Sequence, residues 1–276
     1  MIVTRFAPSP TGYLHLGHAY SALTAWRASR AAGGKFLLRI EDIDKARCKP
    51  EFTDAILEDL AWLGIDWDGA VRKQSEHFAA YEAALDKLDV RGVIYPCFCS
   101  RAEIARAGAA PQGDEGLIFY PGTCRNLPVE ERLRRIAAGA SFGLRLDVAR
   151  ALAHRAPLEW EEDAGGVMTV NPEQLDDVVL ARKDIPTSYH LAVTVDDALQ
   201  GVTLVTRGAD LFMATHVHRV LQALLDLPTP HYRHHRLLTD ASGKRFAKRD
   251  KSLTLRALRE AGRTADEVRA MVDSFP

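Results

Sequence analysis

The stretch from Arg5 to Trp26, RFAPSPTGYLHLGHAYSALTAW, constrains the fold of this chain more than any other. Ile2 to Phe6 is a short apolar run that predicts a strand. Pro8, Pro10 and Gly12 then break the pattern, and Leu16 to Trp26 resumes with apolar residues at helical spacing. His15 and His18 sit where the helix begins, with Gly17 between them to let a ligand approach the backbone. Unsatisfied N–H groups and the positive end of the dipole suit such a start to phosphate. Side chains three apart share one face of the first turn, so both imidazoles can donate to the same phosphate oxygens. The pair could equally ligate a metal or merely cap the helix.

Lys35 to Ile40, KFLLRI, predicts a buried strand after a helix ending near Gly33-Gly34. Strand, helix, strand implies a parallel sheet with a right-handed crossover. Glu41-Asp42-Ile43-Asp44 follows that second strand, at the sheet edge where ligands bind, although such a cluster also suits a solvated helix start. Helices are expected over Glu51 to Leu63 and His77 to Asp89. The α/β pattern returns with strands at Val178 to Arg182 and Val202 to Gly208, then a helix over Leu211 to Leu225. Arg207 at a strand end and Tyr189 in a loop could converge on one acidic group, because guanidinium binds carboxylate bidentately. His231 to Arg236, HYRHHR, reads as a surface segment leading into a strand at Arg236 to Thr239. Gly243 to Arg249, GKRFAKR, is a cationic loop suited to a polyphosphate or to a solvated turn. Thr264 with Glu267 makes a capping box for a last helix.

A chain of 276 residues can bury a large core, read here as one composite domain carrying an insertion. Formal net charge is −1, from 36 basic and 37 acidic residues, so overall charge does not grip nucleic acid, while a local basic patch is still allowed. No apolar run approaches the ~20 residues of a membrane helix, and MIVTRFAPSP is not a signal peptide, so a cytoplasmic protein without a membrane partner is expected. Three of the four cysteines cluster: Cys97-x-Cys99 follows an apolar run, and Tyr120-x-x-x-Cys124 closes the segment. Three thiolates in so short a loop-rich stretch suit a structural zinc, with Tyr120, Asp114 and His77 as candidates for the fourth ligand. An arginine-rich helix is expected from Val129 to Gly139 and a strand from Phe142 to Asp147, whereas Leu158 to Leu180 is mixed and acidic without a clear signature. The middle region therefore reads as an insertion between two halves of the sheet.

Five separated stretches, RFAPSPTG, HLGH, LRIEDID, VTRGADL and the basic loop, resemble in their order the catalytic domain of the glutamyl-tRNA synthetase family of class I aminoacyl-tRNA synthetases. HLGH stands for the HIGH signature, and the basic loop stands for KMSKS. Within that family the chain is most similar to the short queuosine-modifying members, which keep C-x-C then Y-x-x-x-C and lack the long anticodon-binding region. The resemblance implies an α/β fold with a Rossmann-like parallel sheet, a zinc-containing insertion and a short helical C-terminal region. The expected segments are 1–96 and 178–236 for the two catalytic halves, 97–177 for the insertion, and 237–276 for the KMSKS-like loop and final helices.

Residue roles follow from the resemblance. Arg5, Phe6, Ala7, Pro8, Ser9 and Glu41 would hold the amino acid, the Glu41 carboxylate pairing with its ammonium. Tyr189 and Arg207 would contact the acidic end of glutamate, and Arg207 would favour it over glutamine. His15 and His18 would stabilise the α-phosphate of ATP, with Arg245 and Lys248 also at the nucleotide and Lys248 at the departing pyrophosphate. One structural Zn²⁺ on Cys97, Cys99, Tyr120 and Cys124, Mg²⁺ with ATP, L-glutamate, tRNA(Asp) carrying queuosine as acceptor, and a monomeric state complete the expectation. The basic loop departs from the family's Lys-Leu-Ser-Lys: Arg245 replaces the first lysine and Ala247 the serine, while Lys248 keeps the second. Competing readings are a truncated glutamyl enzyme charging the tRNA 3′ end, an inactive nucleotide-binding module, and a small-molecule nucleotidyltransferase.

Overall fold

Val3–Phe6 (β1) is buried along its whole length, as expected of a strand covered on both faces. A computed structural model describes residues 1–100, 102–104, 120–153, 155–238 and 254–275. The chain leaves β1 through the Pro-rich loop into Leu16–Ala31 (α1) and returns as Lys35–Ile40 (β2), parallel to β1 with Phe6 opposite Leu38. The return is tight. A Cβ at Gly34 would stand 2.1 Å from the Ile2 carbonyl oxygen, so only glycine fits where helix passes into strand. Pro50–Trp62 (α2) opens on the proline, whose missing N–H costs nothing in the first turn. Arg72–Lys73 (β3) then pairs parallel to the end of β2.

Phe78–Val90 (α3) leads into Ile94–Cys97 (β4), and Val129–Ala137 (α4) precedes Gly143–Leu146 (β5), which runs antiparallel to β4. After Val148–Leu152 (α5), the stretch with no clear sequence signature forms a hairpin, Glu159–Glu162 (β6) and Gly166–Thr169 (β7). Val179–Ala181 (β8) pairs antiparallel with β5, giving a small sheet in the order β4-β5-β8. Tyr189–Leu199 (α6), Leu204–Gly208 (β9), Phe212–Leu225 (α7) and His231–His235 (β10) complete a sheet in the order β7-β6-β10-β9. Leu255–Glu260 (α8) and Ala265–Ser274 (α9) close the chain, α9 with the expected Thr264 and Glu267 capping box.

The expected surface segment HYRHHR is instead β10, parallel to β9 over its whole length, with Tyr232 and His235 buried. No strand begins at Arg236 among the described residues, and Thr239 lies outside them. The hairpin strand β6 joins the other side of β10 at Tyr232 and Glu162. The EDID stretch is a loop after β2, well before the start of α2, rather than a helix start.

β9 packs beside β1, and Thr203 N donates to the Val3 carbonyl at 3.0 Å while Val3 N donates to Thr203 Oγ1 at 2.9 Å. The chain thus leaves β1 for β2 on one side and later supplies β9 on the other. Helix starts and strand ends diverge at such a switch point, and the crevice they leave is where ligands sit in open parallel sheets. Two apolar clusters hold the frame, one between α1, β2, α2 and the last helices, the other between α3, α6, α7 and the second sheet. Fully buried residues such as Leu38, Leu60, Leu191 and Leu221 each contribute roughly 1.5–3 kcal/mol by leaving water.

Candidate active site

A cavity of about 420 Å³ opens at the carboxyl ends of β1, β9 and β10, against the start of α1. Arg5, Phe6, Ala7, Pro8 and Ser9 line it, from the end of β1 and the loop beyond. So do His15, His18, Glu41, Tyr189 and Arg207, which brings together the expected amino acid residues and both imidazoles. Arg245 and Lys248 lie outside the described residues. The flanks of their segment are described: Leu238 lines the cavity, and Thr254 pairs with His15, with Leu255 N donating to the Leu14 carbonyl at 2.8 Å.

The two histidines together cap the start of α1. His15 Nδ1 accepts from Gly17 N and His18 Nδ1 accepts from His15 N, both at 3.1 Å. With Nδ1 used as an acceptor, the proton of each neutral imidazole resides on Nε2. The rings lie 3.7 Å apart between centroids, so two Nε2–H donors come as a pair. Gly17 lines the cavity, and it also spaces the first turn. A Cβ there would come within 3.0 Å of His15 Cε1, so the glycine makes room for the imidazole.

At the cavity wall formed by Arg5 and Glu41 and behind it, three guanidinium groups meet three carboxylates. Arg5 Nε and Nη2 donate to Asp197 at 2.9 and 3.3 Å, and its Nη1 donates to the Thr206 carbonyl at 3.1 Å. Arg39, fully buried, reaches Asp197 at 2.8 Å, Glu41 at 3.3 Å and Asp196 at 3.9 Å. Arg72 closes the set on Asp196 at 2.8 Å. Burial acts to raise the Asp197 carboxyl, but Arg5 and Arg39 outweigh it and hold the group below the usual carboxylate range. Glu41 goes the other way: burial pushes it above that range despite Arg39 and Arg5. A carboxylate held so, with Arg39 on one oxygen, gains from a second cation such as an ammonium.

Arg207 is buried at 5% exposure, and among the described residues its hydrogen-bond partners are all neutral. Nε donates to His234 Nε2 at 3.2 Å, Nη1 to His218 Nδ1 at 3.1 Å and to Tyr189 Oη at 3.5 Å, and Nη2 to Thr215 Oγ1 at 2.5 Å. A desolvated cation without an anion beside it is costly unless a ligand supplies one.

The three clustered cysteines come together away from this cavity. Sγ of Cys97, Cys99 and Cys124 all lie within 4.8 Å of one another. Tyr120 Oη is 3.5 Å from Cys97 Sγ and 3.8 Å from Cys99 Sγ, and it accepts from Cys124 N at 2.7 Å. Three thiols gathered within reach of one point are a donor set that could hold a metal ion, with the Tyr120 phenol beside them. Burial pushes the Cys99 thiol up to about 11, a cost that a bound cation would reverse. His77 precedes α3 and is not part of this cluster, and Asp114 lies outside the described residues.

Residues 1–272 match the family described as tRNA synthetases class I (E and Q), catalytic domain. The chain belongs to this family. It is 48% identical to the glutamyl-Q tRNA(Asp) synthetase of Rhodobacter capsulatus, over 98% of this chain and 99% of that protein. It is 44% identical to the protein of the same name from Nitratidesulfovibrio vulgaris, over 95% of this chain and 82% of the other. Among solved structures, a glutamate-tRNA synthetase from Elizabethkingia anophelis superposes with a TM-score of 0.78 at 29% identity, covering 91% of this chain. The chain spans about half of that structure, 53%.

As a class I synthetase the chain is a ligase, of a family that uses ATP with Mg²⁺, and several cavity residues of this synthetase carried no sequence signal. Tyr20 and Ser21 project from α1, and Ser21 Oγ is 2.8 Å from His235 Nε2. Because His235 Nδ1 lies 2.8 Å from the Arg236 carbonyl, it is the donor there, and Nε2 accepts from Ser21. Asp210 lines the cavity from the stretch after β9, His235 from the end of β10 and Arg236 from the residue beyond it. For His235 and Arg236 the clue was the density of histidine and arginine in HYRHHR, whereas Tyr20, Ser21 and Asp210 lie inside the stretches from Arg5 to Trp26 and VTRGADL without being singled out there. No helix among the described residues is long and apolar enough to cross a membrane.

Proposed function

We propose that this synthetase activates L-glutamate with ATP and Mg²⁺ without tRNA, then transfers the glutamyl group to queuosine in the anticodon of tRNA(Asp). The observation that carries the glutamate assignment is Arg207, buried in the cavity with only neutral hydrogen-bond partners among the described residues and completed electrostatically by a side-chain carboxylate. An uncharged carboxamide leaves that cation uncompensated, which is the basis of discrimination against glutamine. The acceptor assignment rests on similarity along nearly the full length to proteins named glutamyl-Q tRNA(Asp) synthetase.

In the first step an α-carboxylate oxygen of glutamate attacks the α-phosphorus of ATP and pyrophosphate leaves. Tyr189 and Arg207 hold the side-chain carboxylate, Glu41 the ammonium, and the loop from Phe6 to Ser9 wraps the amino acid beside Arg5. The Nε2–H groups of His15 and His18 donate to phosphate oxygens as negative charge builds. Lys248, with Arg245 near it, neutralises the departing pyrophosphate by the sequence resemblance. No side chain becomes acylated, so rate comes from positioning and preorganised charge. In the second step an acceptor oxygen attacks the glutamyl carbonyl and AMP leaves.

One Zn²⁺ on Cys97, Cys99, Cys124 and Tyr120 would fix the segment 97–177 without entering the chemistry. The catalytic halves are then 1–96 and 178–236, followed by 237–276, in a monomer. The test is transfer of labelled glutamate. Label on queuosine-containing tRNA(Asp), and none on the same tRNA lacking queuosine or on tRNA(Glu), is expected. Label on the 3′ end of tRNA(Glu) would overturn the acceptor assignment.

A further inference from the structure

We propose that Glu162, His234 and His218 are positioning residues for Arg207, setting the preference for an acidic over a carboxamide amino acid; this rests on the glutamate-activating reading above. None of the three lines the cavity, so each acts through the guanidinium. Glu162 Oε2 lies 2.6 Å from His234 Nδ1, and Glu162 Oε1 accepts from His234 N at 3.0 Å. The carboxylate is buried and both its oxygens face acceptor tasks on one residue.

The hydrogen-bond pattern fixes the tautomers. Arg207 has only donors, so the ring nitrogens facing it, Nε2 of His234 and Nδ1 of His218, must be lone pairs. His234 then carries its proton on Nδ1 and gives it to Glu162. His218 carries its proton on Nε2 and gives it to His190 Nδ1, 3.2 Å away. A charged His234 would set Nε2–H against the Arg207 Nε–H, which the 3.2 Å separation does not allow. Burial, and the nearby Arg207, keep His218 and His190 well below the ordinary imidazole value, and burial keeps His234 below it despite Glu162.

Glu162 therefore orients Arg207 through an imidazole without neutralising it. A carboxylate placed directly on Arg207 would satisfy the cation and leave nothing for the substrate; one placed an imidazole away holds the geometry and leaves the charge for the ligand. This resembles the way a buried carboxylate fixes the tautomer of a catalytic histidine.

The test is glutamate-dependent exchange of pyrophosphate into ATP by the purified full chain. Glu162→Gln keeps the shape but supplies one acceptor and one amide donor. The amide must meet either His234 N or His234 Nδ1, and in the second case the ring flips its tautomer and presents Nε2–H to Arg207. The expected result is a KM for glutamate raised about 10- to 100-fold, the scale of one charge-assisted hydrogen bond, with kcat changing far less. The ratio of glutamate to glutamine exchange falls by the same factor. His218→Asn, which still offers an acceptor oxygen, should keep the KM within about threefold of wild type, whereas His218→Leu raises it at least tenfold. Equal KM and equal discrimination in Glu162→Gln, or equal behaviour of the two His218 variants, overturns the inference. Absence of glutamate-dependent exchange in the wild type would instead overturn the function itself.

Discussion

Asp197→Asn tests whether the charges behind the cavity wall are structural, and its cost can be set from the geometry. The carboxylate accepts from Arg5 at 2.9 and 3.3 Å and from Arg39 at 2.8 Å, with Arg39 wholly buried. Asparagine keeps one carbonyl oxygen, turns an amide donor toward guanidinium donors, and leaves Arg5, Arg39 and Arg72 with Asp196 and Glu41 as the remaining carboxylates of the set. Breaking a buried pair by removing one partner costs about 3–5 kcal/mol. At roughly 2–4 °C of Tm per kcal/mol in chains near this size, the expected fall is roughly 6–20 °C. The control is Asp273→Asn, whose partner Arg27 sits at 2.6 Å but with both side chains nearly half exposed, 46% and 49%. Such a pair contributes at most about 1 kcal/mol, so the control should fall by no more than about 4 °C. Thermal melts of both variants at pH 7.5 and in 0.5 M salt decide the matter, since screening reaches only the exposed pair. Equal small shifts in the two variants would refute the assignment of Asp197 as the counter-ion. The depressed Asp197 value fixes the pH sense: its stabilisation is present above the unfolded carboxyl range and is lost only as pH falls through the folded value.

Other consequences are separable. Asp59, fully buried on α2 with neither oxygen hydrogen-bonded among the described residues and Arg259 at 3.7 Å, is pushed up to about 6 by burial. The fold binds its proton more tightly than the unfolded chain, so stability from this group falls as pH rises from about 4 to 6; Asp59→Asn should melt like wild type at pH 4 and gain up to about 3 kcal/mol at pH 8. Metal analysis of the purified protein should find one zinc per chain, and Cys97→Ser or Cys124→Ser should each lose most of it and lower the Tm; a metal-free wild type with an unchanged melt would reject the site. Gly17→Ala sets a methyl within 3.0 Å of His15 Cε1, so the exchange rate should drop 10- to 100-fold with little change in Tm, and an unaltered rate would show that His15 need not hold its place.

The first half of the fold was legible because its physics is local. The switch from apolar run to Pro and Gly to helical spacing located β1 and α1 to within a residue or two, and HLGH marked the helix start facing the cavity. β10 was not legible, since a buried parallel strand ordinarily reads as an apolar run. His231 to His235 is polar because its side chains meet Glu161 and Glu162 on β6, Arg207 on β9 and Ser21 on α1, partners distant in sequence. β6 and β7 are four residues each, too short for alternation to stand out. Asp196 and Asp197 carry no local signal, because their partners Arg5, Arg39 and Arg72 lie more than 120 residues away. The position of Glu41 past the end of β2 pointed as readily to a helix start as to a ligand site, and the resemblance singled it out; burial beside Arg39 is the physical content behind it.

The most direct test is a crystal structure with a non-hydrolysable analogue of glutamyl-adenylate. The account predicts the side-chain carboxylate of the analogue against Arg207 and Tyr189, its ammonium at Glu41, and the phosphate mimic within hydrogen-bond reach of His15 and His18 Nε2. An analogue bound with its carboxylate turned away from Arg207, or seated outside the cavity between β1 and β9, would contradict it.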